Sequence, residues 1–144
     1  MTFSSSGSAF GGRRPLAAEA PCPCGRASYG SCCLPVLRGE PARTAEALMR
    51  SRFTAFALGD ATHLRETWHP STRPDRIDAD RGLSWLSLHI DDIVDGRAGD
   101  GRGIVGFRAL WRDTESGERG VLEERSRFVF QRQRWWYVDG VLAE

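Results

Sequence analysis

The residues best suited to chemistry are four cysteines crowded into one short stretch. Cys22 and Cys24 are separated by one residue, Cys32 and Cys33 are adjacent, and the seven residues from Gly25 to Ser31 form the loop between the pairs. The chain has no other cysteine. A soft tetrathiolate is the donor set that Zn²⁺ favours, and four protein ligands leave no open position on the metal, so a zinc ion here would be structural. Thiolates must lose their protons to bind, so the metal would contribute folding free energy to a segment with little core of its own. Disulfides and free thiols are the alternatives that the spacing leaves open.

A second group of residues could line a pocket. The segment Trp68-His69-Pro70-Ser71-Thr72 places an imidazole and two hydroxyls at a helix end, where His69 would act as a general base or cap carbonyls. His89 falls on the same strand face as Trp85 and Ser87, whereas His63 reads as an exposed helical residue. A later strand alternates Leu122, Glu124, Ser126, Phe128 and Phe130 on one face, and a carboxylate buried there needs a partner. Arg52, on the apolar stripe of the main helix, is the expected one. The Arg52–Glu124 pair would be either structural glue between helix and sheet or the polar floor of a ligand cavity. Arg52, Trp68, His69, His89, Glu124 and Ser126 are therefore the candidate pocket. No catalytic residue is assigned, because the chain has no P-loop, dinucleotide fingerprint or nucleophile elbow.

The elements that must position these residues follow from periodicity. In the stretch Thr44 to Leu58, apolar residues at Ala45, Leu48, Met49, Phe53, Phe56 and Ala57 form the ladder of an amphipathic helix. Thr44 is placed to cap it, Glu46 suits its positive end, and Gly59 terminates it. Asp60 reads as the N-cap of a second helix, Ala61 to Trp68, stopped by His69-Pro70. From Trp85 the period changes to two, with strands expected over Trp85 to Asp91, Ile104 to Arg112, Arg119 to Gln131 and Trp135 to Asp139. Helices followed by an antiparallel meander make an α+β fold with about four strands. Residues 1–20 are poor in apolar bulk and read as a flexible tail, and Leu34 to Arg43, with two prolines and a glycine, reads as a linker.

The net charge of +1 gives no electrostatic argument for nucleic acid or for an anionic membrane. All 20 basic side chains are arginine, which fits coding bias and supplies many bidentate forks. A stacking platform for single strands, built on the many aromatics, would need a basic groove that the sequence does not display. No apolar run reaches the roughly 18 residues that a membrane span needs. Arg13-Arg14 lacks the following apolar region of an export signal, so the cytoplasm is the expected compartment. Clustered cysteines in that compartment point to metal.

The pattern Cys22-Pro23-Cys24-Gly25, Ser28-Tyr29, Cys32-Cys33, then TAEALMRSRFTAF from Thr44, Gly59-Asp60, and TWHPSTRP from Thr67 resembles the YchJ family of bacterial proteins. The likeness runs from Pro21 to Gly140. Its N-terminal module is similar to the SEC-C motif, named after the zinc-binding end of the SecA translocation ATPase. The resemblance implies zinc held by Cys22, Cys24, Cys32 and Cys33 in a knuckle over residues 21–38. It also implies a cystatin-like cone of the nuclear transport factor 2 superfamily over residues 39–144. One departure stands out: the motif usually has eight residues between the cysteine pairs, and its GSGK portion is replaced here by Gly25-Arg26-Ala27. By analogy with the SecA terminus, the expected role is a non-enzymatic adaptor that docks a protein partner through the knuckle. The alternative is a small ligand or a reaction in the cone, with Arg52, His69, His89 and Glu124 as its polar residues. Nucleic-acid contact through the knuckle and the arginines is a third reading.

Overall fold

A computed structural model describes residues 12–79 and 82–142. A 3-10 turn (Tyr29–Ser31) follows the first cysteine pair, and a single helical turn α1 (Leu34–Leu37) follows the second. Then come the main helix α2 (Ala45–Leu58) and the short helix α3 (Ala61–Glu66). Four strands complete the chain, β1 (Leu83–Asp95), β2 (Arg102–Asp113), β3 (Arg119–Gln131) and β4 (Arg134–Leu142). They form one antiparallel meander in the order β1-β2-β3-β4. No helix among the described residues is long and apolar enough to cross a membrane.

The main helix begins and ends where its sequence dictates. The Thr44 hydroxyl accepts from the Ala47 amide at 3.0 Å, and Gly59 closes the helix at φ +78°. Its buried residues, among them Ala45, Leu48, Phe53 and Ala55, pack on Val105, Phe107, Ala109, Phe128 and Trp135 of the sheet. Residues 12–20 are seated and not a loose tail. Arg13 pairs with Asp60 at 3.1 Å, the Arg14 amide donates to Leu58 O at 2.7 Å, and its guanidinium donates to Ala57 O. The two arginines thus sit on the carbonyl end of α2, where positive charge is favoured. The rest of the expected tail, residues 1–11, lies outside the described residues.

Three more expectations need correction. Leu34 to Arg43 is not wholly a linker, because Pro35 near the start of α1 favours a helical turn there. Helix α3 stops at Glu66, two residues short of Trp68. Its chain turns extended there and runs beside β4, with Tyr137 N donating to Thr67 O and His69 N donating to Tyr137 O, both at 2.8 Å. The third concerns β1, where register shifts lie between Trp85 and Ser87 and between Ile90 and Asp92. Each bulge adds a residue and reverses the alternation. Trp85, Leu88 and Ile90 therefore pair with the inward Trp111, Ala109 and Phe107, while His89 pairs with exposed Arg108.

The β3–β4 hairpin turns on Arg132 and Gln133, both at positive φ (54° and 66°). A two-residue hairpin of this kind favours Asn-Gly, and neither native residue adopts positive φ readily. The double substitution Arg132→Asn, Gln133→Gly is expected to raise stability by about 1 kcal/mol, read as a higher urea midpoint at unchanged slope.

Candidate functional site

The four thiols meet in one buried cluster against α2, beside Arg50 and Thr54. Their Sγ atoms all lie within 4.8 Å of one another. Cys22, Cys24 and Cys33 are buried, and Cys32 is partly so. Cys24 Sγ and Cys32 Sγ are 3.4 Å apart, well beyond the about 2.05 Å of a disulfide. Four sulfurs around a metal at about 2.3 Å would stand about 3.8 Å from one another, so this donor set fits a tetrahedral soft cation. The loop of seven residues closes. Cys22 N donates to Ala27 O and Gly25 N to Cys22 O, each at 2.9 Å, and Gly25 takes the turn at φ +86°.

The main helix holds this cluster with two side chains one turn apart. The Thr54 hydroxyl donates to Cys33 Sγ at 3.3 Å and stands 3.7 Å from Cys22 Sγ. Arg50 Nη1 donates to Cys24 O at 3.0 Å, and its Nε is paired with Glu46 at 2.8 Å. Neither Arg50 nor Thr54 stands out in the sequence. The available signal was a threonine on a buried helix face, a position where a hydroxyl needs a partner. Hydrogen bonds from Cys24 and Cys33 hold the Cys22 thiol far below its ordinary range. Burial pushes Cys32 up to about 12, and the hydrogen bond with Cys22 drives Cys33 upward. Crowded thiolates repel, so further deprotonation of the cluster calls for a cation among them.

The pocket candidates divide. Arg52 is 3% exposed and donates to Leu64 O at 2.8 Å and to Thr67 Oγ1 at 2.7 Å. Its guanidinium carbon lies 4.2 Å from the Tyr137 ring centroid and 5.3 Å from that of Trp68, a cation held by two aromatic rings. Burial lowers its pKa to about 10, with the Tyr137 and Glu124 charges pulling the other way, so it remains a cation at neutral pH. The Glu124 carboxylate lies over Gly140, in the space a β-carbon there would occupy. Ser126 is buried one alternate position along β3. Buried Arg52 and half-buried Trp68, Tyr137 and Glu124 therefore belong to one group, and the Glu124 carboxylate, expected to be fully buried, is not. His69 lies apart, its Nε2 2.8 Å from Gln131 Oε1 and its Nδ1 2.7 Å from Ser71 Oγ. His89 faces outward.

His63, expected on an exposed face, is instead 6% exposed, with Nε2 2.9 Å from Ser51 Oγ. The reason is that α3 lies along α2, and Asp60 Oδ1 caps it by accepting from His63 N at 3.0 Å. Burial lowers the imidazole pKa to about 4. The unfolded chain binds this proton below about 6.5 and the folded chain only below about 4, so stability falls as pH drops through that window. The expected loss is about 3 kcal/mol. It should be read as the difference in urea stability between the wild type and His63→Gln from pH 7 to pH 4, the variant having the flatter profile.

Residues 44–140 match the family model described as YchJ, middle NTF2-like domain. The chain is 51% identical to a UPF0225 protein of Streptomyces coelicolor over 83% of this chain and 94% of that one. It is similar to the solution structure of a SEC-C motif containing protein from Rhodopseudomonas palustris, with TM-score 0.74 and 34% identity, over 85% of this chain and 98% of that one. A crystal structure of a SEC-C motif containing protein from Psychrobacter arcticus has the same fold, with TM-score 0.70 and 23% identity over 88% and 85% of the two chains.

Proposed function

Since this chain belongs to the YchJ family, we propose that it is a cytoplasmic zinc-binding docking protein, without catalytic activity, whose cysteine knuckle presents a surface to a protein partner. The observation that carries the reading is the closed arrangement of four Sγ atoms within 4.8 Å, three of the cysteines being buried. A fully ligated metal leaves no site for substrate, so its contribution is to fold and stiffen the segment that carries it. That segment is residues 21–38, and its tip, residues 25–28, is exposed. A groove of about 250 Å³ runs beside the tip, between Arg26, Ser31 and Cys32 on one side and Val36, Ala47 and Arg50 on the other. The metal would hold both walls in register, and residues 39–144 would serve as the rigid support.

The cone as a ligand or reaction site draws less support. Arg52, its best cation, is already bonded to Leu64 and Thr67 and covered by two rings.

The test begins with metal content by mass spectrometry on untagged protein, followed by thiol titration before and after chelation. About one zinc per chain is expected, with thiols protected until chelation. No metal and four freely reactive thiols would overturn the metal reading. Partner capture is then compared between the wild type and Arg26→Glu, which alters an exposed tip residue and no thiol. Capture that survives both Arg26→Glu and metal removal would overturn the docking reading.

A further inference from the structure

The ring of His63 lines a cavity of about 130 Å³ between α3, the α1–α2 connection and the start of β4, and none of the four cysteines lines it. The state of that ring follows from its neighbour. The Ser51 hydroxyl has one proton and donates it to Leu48 O at 2.8 Å. Toward His63 Nε2, 2.9 Å away, the same oxygen must accept, so Nε2 carries the ring proton. Nδ1 is then a bare lone pair. No group among the described residues donates to it, yet no buried side-chain polar atom among them lacks a partner. Nδ1 is therefore not sealed in the interior, and the cavity that His63 lines is the opening beside it. Burial keeps the ring neutral at ordinary pH, and the positive charge of Arg134 acts in the same direction.

Arg134 and Glu66 also line the cavity, and neither forms an ion pair among the described residues. Arg134 is pre-oriented by Trp136, its guanidinium carbon 5.4 Å from the ring centroid, and the Trp136 indole donates to Gln131 O at 2.9 Å. Arg38 and Glu40, both exposed, complete a rim of two cations and two carboxylates around His63. A lone anion would meet the carboxylates, and a lone cation would meet the arginines. A molecule carrying both charges satisfies each.

We propose that this cavity binds a small zwitterion with an amino-acid head, its carboxylate on Arg134 and its ammonium shared by His63 Nδ1 and Glu66. Size sets the class. A cavity of about 150 Å³ admits benzene, with about six heavy atoms, and L-alanine has as many. The inference is independent of the metal and of the docking role.

The test uses the full-length, isotope-labelled protein and follows the His63 Nδ1 resonance by long-range proton–nitrogen NMR. The probes are L-alanine, acetate and ethylammonium chloride. L-Alanine is expected to move the Nδ1 resonance saturably, and each single-charge probe to bind at least about tenfold more weakly. Arg134→Gln and Glu66→Gln should each weaken L-alanine by about tenfold or more while leaving the amide resonances of the β2–β3 ladder in place. The proposal is overturned by an unsaturated or absent shift with L-alanine, by equal affinity for either single-charge probe, or by unchanged affinity in both variants.

Discussion

With a metal in the proposed four-thiol site, Cys33→Ser is expected to release it and melt the knuckle while leaving the sheet intact. Cys33 is the most tightly tied of the four thiols, buried at 2% exposure and receiving the Thr54 hydroxyl. Serine oxygen is a harder and shorter ligand than thiolate sulfur, so the site keeps three soft donors and a gap. Metal binding to such modules contributes on the order of 10 kcal/mol to their folding, whereas residues 25–28 bury almost nothing of their own. Metal content should fall from about one per chain to near zero. Hydrogen exchange should separate the two parts: the Cys22 and Gly25 amides, bonded to Ala27 O and Cys22 O, lose protection, while the β2–β3 ladder keeps it. Full metal retention in the variant would refute the four-thiol site.

Arg52→Ala should be the most destabilising change in the body of the protein, at about 3–5 kcal/mol. The substitution removes donors from Leu64 O and Thr67 Oγ1, uncovers the faces of Trp68 and Tyr137, and leaves a void beneath α2. It also takes away a positive charge that interacts with half-buried Glu124. Arg52→Met separates these effects. It keeps most of the volume and is expected to cost about 2 kcal/mol less than alanine. If Arg52 and Glu124 act as a pair, Glu124→Gln will be milder in the Arg52→Met background than alone, with a coupling of about 1 kcal/mol or more. Urea midpoints at constant slope measure all four corners of the cycle. Strict additivity would mean that Arg52 is retained for its two hydrogen bonds and its aromatic contacts and not for the carboxylate.

The sequence made the main helix legible almost to the residue, because its cap, its periodicity and its terminating glycine agree. The inward faces of β2 and β3 were legible for a similar reason: Val105, Phe107 and Ala109, then Leu122, Glu124, Ser126 and Phe128, alternate without interruption. Strand β1 was not. An inserted residue at each bulge leaves the sequence pattern continuous while reversing the side-chain faces, so His89 seemed to share a face with Trp85. The β3–β4 hairpin was legible from its flanking strand patterns, Arg119 to Gln131 and Trp135 to Asp139, even though Arg132-Gln133 carries none of the usual turn residues.

By itself, the sequence determined the family, the α+β class and the cluster of donors that suits a soft metal. These are local properties, set by residue type and short-range spacing. Only the tertiary structure decided how the parts are joined. It seats the knuckle on α2 through Arg50 and Thr54, and it encloses Arg52 between Trp68 and Tyr137. It also buries His63 against Ser51 at the edge of a cavity. Each of these depends on which faces meet across 12 or more residues of chain, and no local pattern encodes that. The physical reason is desolvation. A guanidinium, a threonine hydroxyl or an imidazole is costly to bury alone, so its position becomes intelligible only when the partner brought by the fold is known.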